Sequence, residues 1–316
     1  MYSLEGKKVW VAGHRGLVGS AVSRRLASEN CEMVAVDRQA VDLTRQVEVE
    51  DFLAESRPDA IVIAAARVGG ILANDTYPVD FLYENLMIET NIMKSAHETG
   101  VEKILFLGSS CIYPKMAAQP MREDSLLTGP LEPTNEAYAI AKIAGIRLAQ
   151  AYRKQYGHDY ISAMPTNLYG PGDNFDLNSS HVLPALIRKT HEAKRRGDEE
   201  LVMWGTGTPR REFLHCDDCA DALVFLLKSY SGHDHVNVGS GKDISILELT
   251  ELVCKIVGFE GRIRHDLTKP DGMPRKLMDS TRLLDMGWKP TTALEDGIRS
   301  TYEWFKAREA EGLYQS

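Results

Sequence analysis

Apolar blocks and polar, helix-periodic stretches alternate along the first half of the chain. Lys8-Val9-Trp10-Val11-Ala12 reads as a short buried strand. A glycine-punctuated turn follows, then apolar positions at helical spacing from Leu17 through Leu26. A second strand, Met33 to Val36, ends in Asp37-Arg38. Asp59 to Ala64 is a buried strand, Phe81 to Glu98 a helix and Lys103 to Leu107 another strand. A helix across Ala137 to Tyr156 and a strand from Tyr160 to Met164 complete the alternation. Strands alternating with helices predict an α/β fold with a doubly wound, Rossmann-like parallel sheet. Ligands of such sheets bind beyond the carboxyl ends of the strands, where Gly13, Ser109 and Asn167 fall. After Pro165 the pattern changes to a polar loop, Asp173 to Ser180, in which Asp173, Asn174 and Asn178 shape the turn. Helical segments and short strands near Leu201 to Trp204 and Val236 to Val238 follow. They predict a smaller α/β domain over the cleft, assembled from discontinuous pieces. Residues 1–165 with about 212–240 form the larger domain, and about 166–211 with 241–316 the smaller.

Composition narrows the function classes. The 316 residues are 43% hydrophobic and 26% charged, as in a folded globular protein. No apolar run approaches the ~18 residues of a membrane span, and the polar start, Met1 to Lys8, lacks a signal-peptide pattern. Five scattered cysteines, at 31, 111, 216, 219 and 254, predict a reducing, cytoplasmic setting rather than a disulfide framework. A net charge of −8 argues against a nucleic-acid partner. An anionic small molecule would need a local basic cluster, for which Arg188, Lys189, Arg210, Arg211, Arg275 and Lys276 are candidates.

Candidate chemistry begins at Gly13-x-x-Gly16-x-x-Gly19, between a strand and a helix. Glycines there let backbone amides approach a pyrophosphate at the helix N-terminus. The spacing departs by one residue from G-x-G-x-x-G, and an ordinary tight turn is the plainer reading. Tyr138 and Lys142, four apart on a helix, share one face. A buried ammonium beside a phenol predicts a Tyr138 pKa below the ordinary ~10; a solvated surface pair is the alternative. Ser109 supplies a hydroxyl able to hold a carbonyl oxygen. Cys216-x-x-Cys219 has no second pair at metal-ligand spacing, so it reads as a strand-to-helix junction begun by Asp217 or Asp218, with no metal. Asp37 suits the ribose hydroxyls of NAD, whereas Arg15 and Arg38 suit a 2′-phosphate.

Several longer stretches are more specific. They include Gly13-His14-Arg15-Gly16-Leu17-Val18-Gly19, Ala64-Ala65-Ala66-Arg67-Val68-Gly69-Gly70-Ile71 and Gly108-Ser109-Ser110-Cys111-Ile112-Tyr113-Pro114. Glu132-Pro133-Thr134-Asn135-Glu136, Met164-Pro165-Thr166-Asn167-Leu168-Tyr169-Gly170-Pro171 and Lys269-Pro270-Asp271-Gly272 join them. In these the chain resembles, nearly end to end, the nucleotide-sugar epimerase-reductases among the extended short-chain dehydrogenase/reductases.

The resemblance implies conversion of GDP-4-keto-6-deoxy-D-mannose to GDP-L-fucose, by epimerisation at C3 and C5 and NADPH-dependent reduction at C4. It implies Ser109, Tyr138 and Lys142 as the reductase triad, and Cys111 and His181 as the epimerisation acid and base. Gly13, His14, Arg15, Gly16, Leu17, Val18, Gly19, Arg38, Leu107, Gly108, Lys142, Pro165, Thr166, Asn167, Leu168 and His181 would bind NADP(H). Lys189, Trp204, Arg211 and Asp271 would line the GDP-sugar pocket, placed in the smaller domain. A homodimer through the helices Phe81–Glu98 and Ala137–Tyr156 is implied as well.

The chemistry of the substrate agrees. A 4-keto sugar has acidic protons at C3 and C5, and inversion needs a base on one face and an acid on the other. Cys111 lies two residues beyond Ser109, so along an extended strand end it points the same way. Plainer readings stand beside these: a buried strand-end cysteine, a His181 that merely caps the helix near Val182, and a core Trp204. Two rival functions also remain. One is an epimerase-reductase of a related GDP-4-keto-deoxysugar of the colitose or heptose type. The other is a non-catalytic dinucleotide sensor, against which the presence of both Tyr138 and Lys142 counts.

Overall fold

The computed structural model describes residues 1–177, 179–269 and 271–314. Asn178 of the polar loop and Pro270 of the Lys269–Gly272 stretch lie outside them. The chain runs through β1 (Lys8–Ala12), α1 (Leu17–Leu26), β2 (Glu32–Val34), α2 (Gln46–Ser56), β3 (Ala60–Ile63), α3 (Ile71–Thr76) and α4 (Pro78–Thr99). It continues through β4 (Lys103–Leu107), α5 (Glu136–Tyr156), β5 (Asp159–Pro165), β6 (Asn167–Tyr169), α6 (Val182–Arg196), β7 (Glu200–Trp204) and β8 (Arg210–His215). The remainder is α7 (Cys216–Ser229), β9 (Val236–Val238), β10 (Asp243–Ser245), α8 (Ile246–Val257), β11 (Arg262–Asp266), β12 (Arg275–Lys276), α9 (Thr281–Asp285) and α10 (Leu294–Ala310).

Local chemistry sets the helix limits. Pro78 starts α4, where its missing N–H costs nothing, and Gly100 ends it with φ +77°. Gly157 ends α5 in the same left-handed conformation, φ +76°. α8 opens on a capping box in which the Ser245 hydroxyl accepts from the Glu248 N–H at 3.1 Å.

The central sheet has six strands in the order β2-β1-β3-β4-β5-β9, and every neighbouring pair is parallel. Its order reverses between β1 and β3, the topological switch point at which such sheets bind ligands. Val9, Val11, Val62, Leu105 and Ile161 pack one face against α1 and α7. Trp10, Ile61, Ile63, Ile104 and Phe106 pack the other against α2, α4 and α5. Burial on both faces explains why these strands read as unbroken apolar runs. Among the described residues, no helix is long and apolar enough to cross a membrane.

A second assembly covers the carboxyl edge. β8 pairs with β10, β12 and β6, and β11 pairs with β7. Its own core includes Phe175, Leu183, Ile187, Leu249, Ile298 and Phe305. The chain then returns, because Leu283 and Trp288 pack in the core of the central sheet beside α7.

Three details depart from expectation. The second strand stops at Val34, so Asp37 and Arg38 lie in the loop beyond it. Ser109 to Cys111 is not an extended strand end: only Ser109 is extended, and Ser110–Ile112 turn as a 3₁₀ segment. α2, α3 and the strands β6, β10, β11 and β12 were not foreseen, whereas β8 ends at the expected strand-to-helix junction. The three strands β6, β10 and β12 have two or three residues each, too short for a periodic signal.

Two outcomes follow from the packing. A methyl on Gly145 would overlap the Phe106 ring and lie 2.9 Å from Glu89 Cδ, so Gly145→Ala pries α5 from α4. Thermal unfolding is expected to show a loss of about 1–3 kcal/mol; an unchanged Tm would mean the helices relax freely. His235 is buried with Nε2 3.0 Å from the Tyr113 hydroxyl, and burial pushes its pKa from 6.5 to about 4. A depressed histidine stabilises the fold above pH 6.5, and that contribution is lost as pH falls toward 4, up to about 3 kcal/mol. Wild-type Tm should therefore drop more steeply over that window than that of His235→Asn.

Candidate active site

The glycine turn after β1 has the shape the spacing asks for. Gly13 has φ +86°, and a side chain there would lie 2.7 Å from the Ala65 nitrogen. A Cβ on Gly19 would overlap the Gly13 carbonyl. α1 begins at Gly16 with no side-chain cap and no acidic residue in its first turn. Its free N–H groups and positive dipole end therefore suit an anionic diphosphate. His14, Leu17 and Val18 are half-buried, and Arg15 and Gly16 are exposed. Asp37 turns toward this loop: Arg15 Nη2 is 2.6 Å from Oδ2 and His14 Nε2 is 3.4 Å from Oδ1. Arg38 is exposed, 3.8 Å from Glu84. The acid that would repel a 2′-phosphate is thus already balanced by a cation.

The ends of β4 and β5 form the next wall. Gly108 is required where a side chain would overlap the Met164 thioether, just beyond Leu107. Thr166 N–H donates to the Val238 carbonyl at 3.0 Å, and Asn167 Nδ2 donates to the Glu212 carbonyl at 2.8 Å. These bonds fix the path from Pro165 through Asn167, and Leu168 follows in β6.

Ser109, Cys111, Tyr138 and Lys142 come together. The 3₁₀ turn folds Cys111 back so that its N–H donates to Ser109 Oγ at 3.3 Å. Cys111 is half-buried, not a core cysteine. Its Sγ lies 3.4 Å from Asn135 Nδ2 and 3.5 Å from Lys276 Nζ. Tyr138 is half-buried, hydrogen-bonded to Ser109, with its ring edge-on to Phe81 at 6.3 Å. Lys142 is buried, its Nζ 4.7 Å from the Phe106 ring centroid and 5.9 Å from that of Tyr138. The tyrosine–lysine spacing is therefore not a surface pair.

The Tyr138 pKa moves opposite to the expected direction. Burial raises it, Cys111 and Glu89 raise it further, and only the Ser109 hydrogen bond draws it down. The physical reason is a carboxyl that the spacing could not reveal. Glu89 of α4 is buried near Lys142 and offsets its charge; burial lifts the Glu89 pKa to about 7, against the pull of the lysine.

His181 faces the site from the start of α6. It occupies the N-cap position, yet its side chain makes no capping bond, which removes the plain capping role. The imidazole is exposed to the cleft. Surrounding protein, and then the Lys276 charge, hold its pKa below the ordinary 6.5. The loop before it is anchored: Gly70 N–H donates to the Ser179 carbonyl at 3.0 Å, and a side chain on Gly70 would lie 2.8 Å from the Ser180 carbonyl. That contact explains the glycine pair at 69–70. Lys276 thus stands between Cys111 and His181.

The second lobe supplies the remaining candidates. Trp204 is 60% exposed, not a core residue, and Lys189 and Lys269 place Nζ 4.9 and 5.3 Å from its ring centroid. Asp271 is bonded by the Thr206 N–H at 2.9 Å and the Thr206 hydroxyl at 2.7 Å. Arg211 donates to the Met273 carbonyl at 2.6 Å. Of six cations considered for an anionic ligand, three are already neutralised. Arg188 pairs with Glu192, and Arg210 and Arg275 pair with Asp243. Among the described residues Lys189, Arg211 and Lys276 have no carboxylate partner, and burial depresses the pKa of the first two. Charges held unpaired are the ones suited to meet a diphosphate.

The Cys216–Cys219 pair stands apart. His215, not an aspartate, caps α7, accepting from the Asp217 N–H at 3.3 Å. Burial pushes the Cys216 thiol up to about 12. His215, Cys216 and Asp217 bring ligand-type atoms within 4.8 Å of one another, but Asp217 is paired with Arg24 at 2.6 Å.

Sequence reasoning missed three groups here. Asn135 lay within a quoted stretch without a role, Lys276 was counted only as a cation for phosphate, and Glu89 gave no signal at all.

Known proteins resemble this chain in sequence and fold. The model of the NAD dependent epimerase/dehydratase family matches residues 9–239. The chain is similar to a GDP-L-fucose synthase of Sinorhizobium fredii, 64% identical over 311 residues, covering 98% of this chain and 99% of that protein. It is similar to GDP-L-fucose synthase 1 of Arabidopsis thaliana, 60% identical over 94% of this chain and 93% of that one. Among solved structures it resembles a GDP-L-fucose synthetase from Naegleria fowleri bound to NADP. That match has TM-score 0.88 and 27% identity, covering 97% and 96% of the two chains. Matched by that family model over residues 9–239 and 64% identical to such a relative over 98% of its length, this chain belongs to the NAD dependent epimerase/dehydratase family, the extended short-chain dehydrogenase/reductase group that its motifs resemble.

Proposed function

We propose that the protein is a bifunctional epimerase-reductase that converts GDP-4-keto-6-deoxy-D-mannose to GDP-L-fucose with NADP(H). The observation that carries this reading is the meeting of Ser109, Tyr138 and Cys111 at one point, with Lys276 leading from Cys111 to His181. A reductase alone needs the first two; inversion of neighbouring carbons needs the others.

The mechanism follows from the side chains. Ser109 and Tyr138 hold the C4 oxygen and stabilise the enolate formed on either side of it. Cys111 and His181 act as base and acid: one removes the proton at C3 or C5, the other returns one to the opposite face. His181, neutral at pH 7 by its depressed pKa, is able to accept a proton. The Lys276 ammonium, 3.5 Å from the sulfur, balances the charge when the thiol gives up its proton. NADPH, when bound, supplies the hydride for C4. Tyr138 then gives its proton to the C4 oxygen. Its raised pKa keeps the phenol protonated at neutrality, as a donor requires.

The glycine turn and the free start of α1 fit the diphosphate of the dinucleotide, together with Leu107, Gly108 and the stretch Pro165 to Leu168. Arg15 and Arg38 suit the 2′-phosphate, with Asp37 neutralised in place. Lys189 and Arg211 meet the GDP diphosphate, Trp204 offers a stacking face, and Asp271 orders the loop beneath it. In this reading residues 1–165 with about 212–240 carry the dinucleotide, and about 166–211 with 241–316 carry the GDP-sugar. The packing of α7 on α1 supports the first assignment; Leu283 and Trp288 tie the last segment back to it. A homodimer through α4 and α5 is part of the proposal, supported by exposed Val79, Tyr83, Ile140 and Tyr156 on those helices. A cytoplasmic location accords with the five free cysteines.

The decisive experiment mixes the pure protein with GDP-4-keto-6-deoxymannose and NADPH and identifies the sugar by NMR. A C4-reduced product with unaltered C3 and C5 would overturn the epimerase half. Tyr138→Phe should slow reduction by roughly two to four orders of magnitude in single-turnover assays; near-normal turnover removes Tyr138 from the reaction. Cys111→Ser is expected to suppress solvent deuterium entry at C3 and C5 while leaving NADPH affinity intact, and undiminished exchange would make the thiol structural. Arg38→Ala should raise KM for NADPH about tenfold, ~1.4 kcal/mol, with little change for NADH. Equal effects on both would exclude a contact with the 2′-phosphate.

A further inference from the structure

Two buried groups beside the triad have each other as their principal electrostatic partner. Glu89 of α4 is 1% exposed and Lys142 of α5 is 2% exposed. The Glu89 carboxyl has no side-chain hydrogen-bond partner among the described residues; besides Lys142, the Gly145 backbone N–H is the group that draws its pKa down. Lys142 has no ion pair within 4.0 Å among them, and its near neighbours are the rings of Phe106 and Tyr138. The apolar shell around the pair includes Ile88, Ile92, Phe106, Ile143 and Ile146. α4 and α5 approach closely enough at Gly145 that the carboxyl lies against the α5 backbone. Other titratable groups are turned elsewhere. On α2, also packed on α4, Glu50 pairs with Lys94. On α5, Tyr138 is the remaining group that feels Glu89. Cys111 acts on Tyr138 rather than on the pair.

We propose that Glu89 is the positioning residue of the triad: it is the counter-charge that keeps Lys142 an ammonium in a dry site, and it thereby sets the pH range over which Tyr138 gives its proton and recovers it. The proposal rests on the reductase reading of Tyr138 and Lys142. An isolated buried ammonium sheds its proton, because desolvation penalises the charged form. A neutral Lys142 could not stabilise the phenolate left when the Tyr138 O–H breaks and the C4 O–H forms. With Glu89 ionised, the resting site holds one carboxylate, one ammonium and one phenol. When the phenolate forms, the ammonium serves it, and Glu89 takes up one hydronium-borne proton from bulk solvent, so that each reduction consumes one solvent proton. Return of that proton equivalent to Tyr138 restores the resting state. A carboxyl lifted by burial to about 7 is suited to such an exchange at neutrality, where an ordinary glutamate is not.

The test uses the whole protein and two readouts. Glu89→Gln keeps the shape and removes the charge. In single-turnover reduction of GDP-4-keto-6-deoxymannose by NADPH, the alkaline limb of its pH profile should move about one pH unit or more toward acid, a tenfold loss on that side. Glu89→Asp should restore part of the shift, and both variants should keep the wild-type KM for the sugar. An unmoved limb in Glu89→Gln overturns the proposal. The second readout needs no ligand. Infrared difference spectra of the wild-type protein should gain a buried protonated-carboxyl band as pH falls through about 7 that Glu89→Gln lacks; buried Asp173, also lifted to about 7, titrates alike in both proteins and cancels in the comparison. No such band, or one that persists unchanged to about pH 9, also overturns it. A wild-type protein that fails to reduce the keto sugar would sink the functional reading, while the infrared titration still judges the pair.

Discussion

Burial of both faces of a parallel sheet constrains everything else in this molecule. Val9, Val62 and Ile161 on one face and Trp10, Ile61 and Phe106 on the other make both faces of the sheet mostly apolar, with Lys103, Ser162 and Asn237 as buried polar exceptions. Function is confined to the carboxyl edge, where β1, β4 and β5 end in Gly13, Gly108 and Pro165. Close approach is the currency of that edge. Three glycines, at 13, 19 and 108, stand where any side chain would collide with backbone or with Met164. The second lobe then only has to supply charge and a roof, and short strands borrowed from four parts of the chain suffice for that.

Charge is handled locally in an acidic protein. Salt bridges neutralise Arg188, Arg210 and Arg275, while Lys189, Arg211 and Lys276 have no carboxylate partner among the described residues. Leaving cations partly desolvated and without a carboxylate is costly, so their arrangement says more than their number. At the glycine turn the opposite holds, because Arg15 is paired with Asp37.

Much of this was legible in the sequence. α1 and β4 fall on the predicted residues because a glycine turn and an apolar run bracket them sharply. α4 and α5 were recognised within a few residues because Pro78, Gly100 and Gly157 punctuate them. That Ser109, Tyr138 and Lys142 lie together was readable from the tyrosine–lysine spacing and the strand end at Ser109. What was not readable depends on contacts distant in sequence. Period-two geometry suggested that Cys111 would point like Ser109, yet a 3₁₀ turn brings the two together through an N–H bond instead. Lys276 reaches Cys111 across 165 positions. Glu89 looked like one more charged residue on an amphipathic helix until Gly145 drew α5 against it.

The direction of the Tyr138 shift is the point at which local reasoning and tertiary structure disagree most. A lysine one turn away argues for an acidic phenol, and that argument holds only if the ammonium is unopposed. Here the ammonium is opposed by Glu89 and its field is shared with the Phe106 face, while desolvation of the phenol works in the other direction. The outcome is a tyrosine that stays protonated at rest. For the proposed role, gripping a ketone oxygen through enolisation and then surrendering a proton to it, a retained proton is the more useful state. An ionised phenolate would repel the enolate and have nothing to give at C4. In the proposed mechanism the same phenol therefore serves both halves of the reaction without changing its resting protonation.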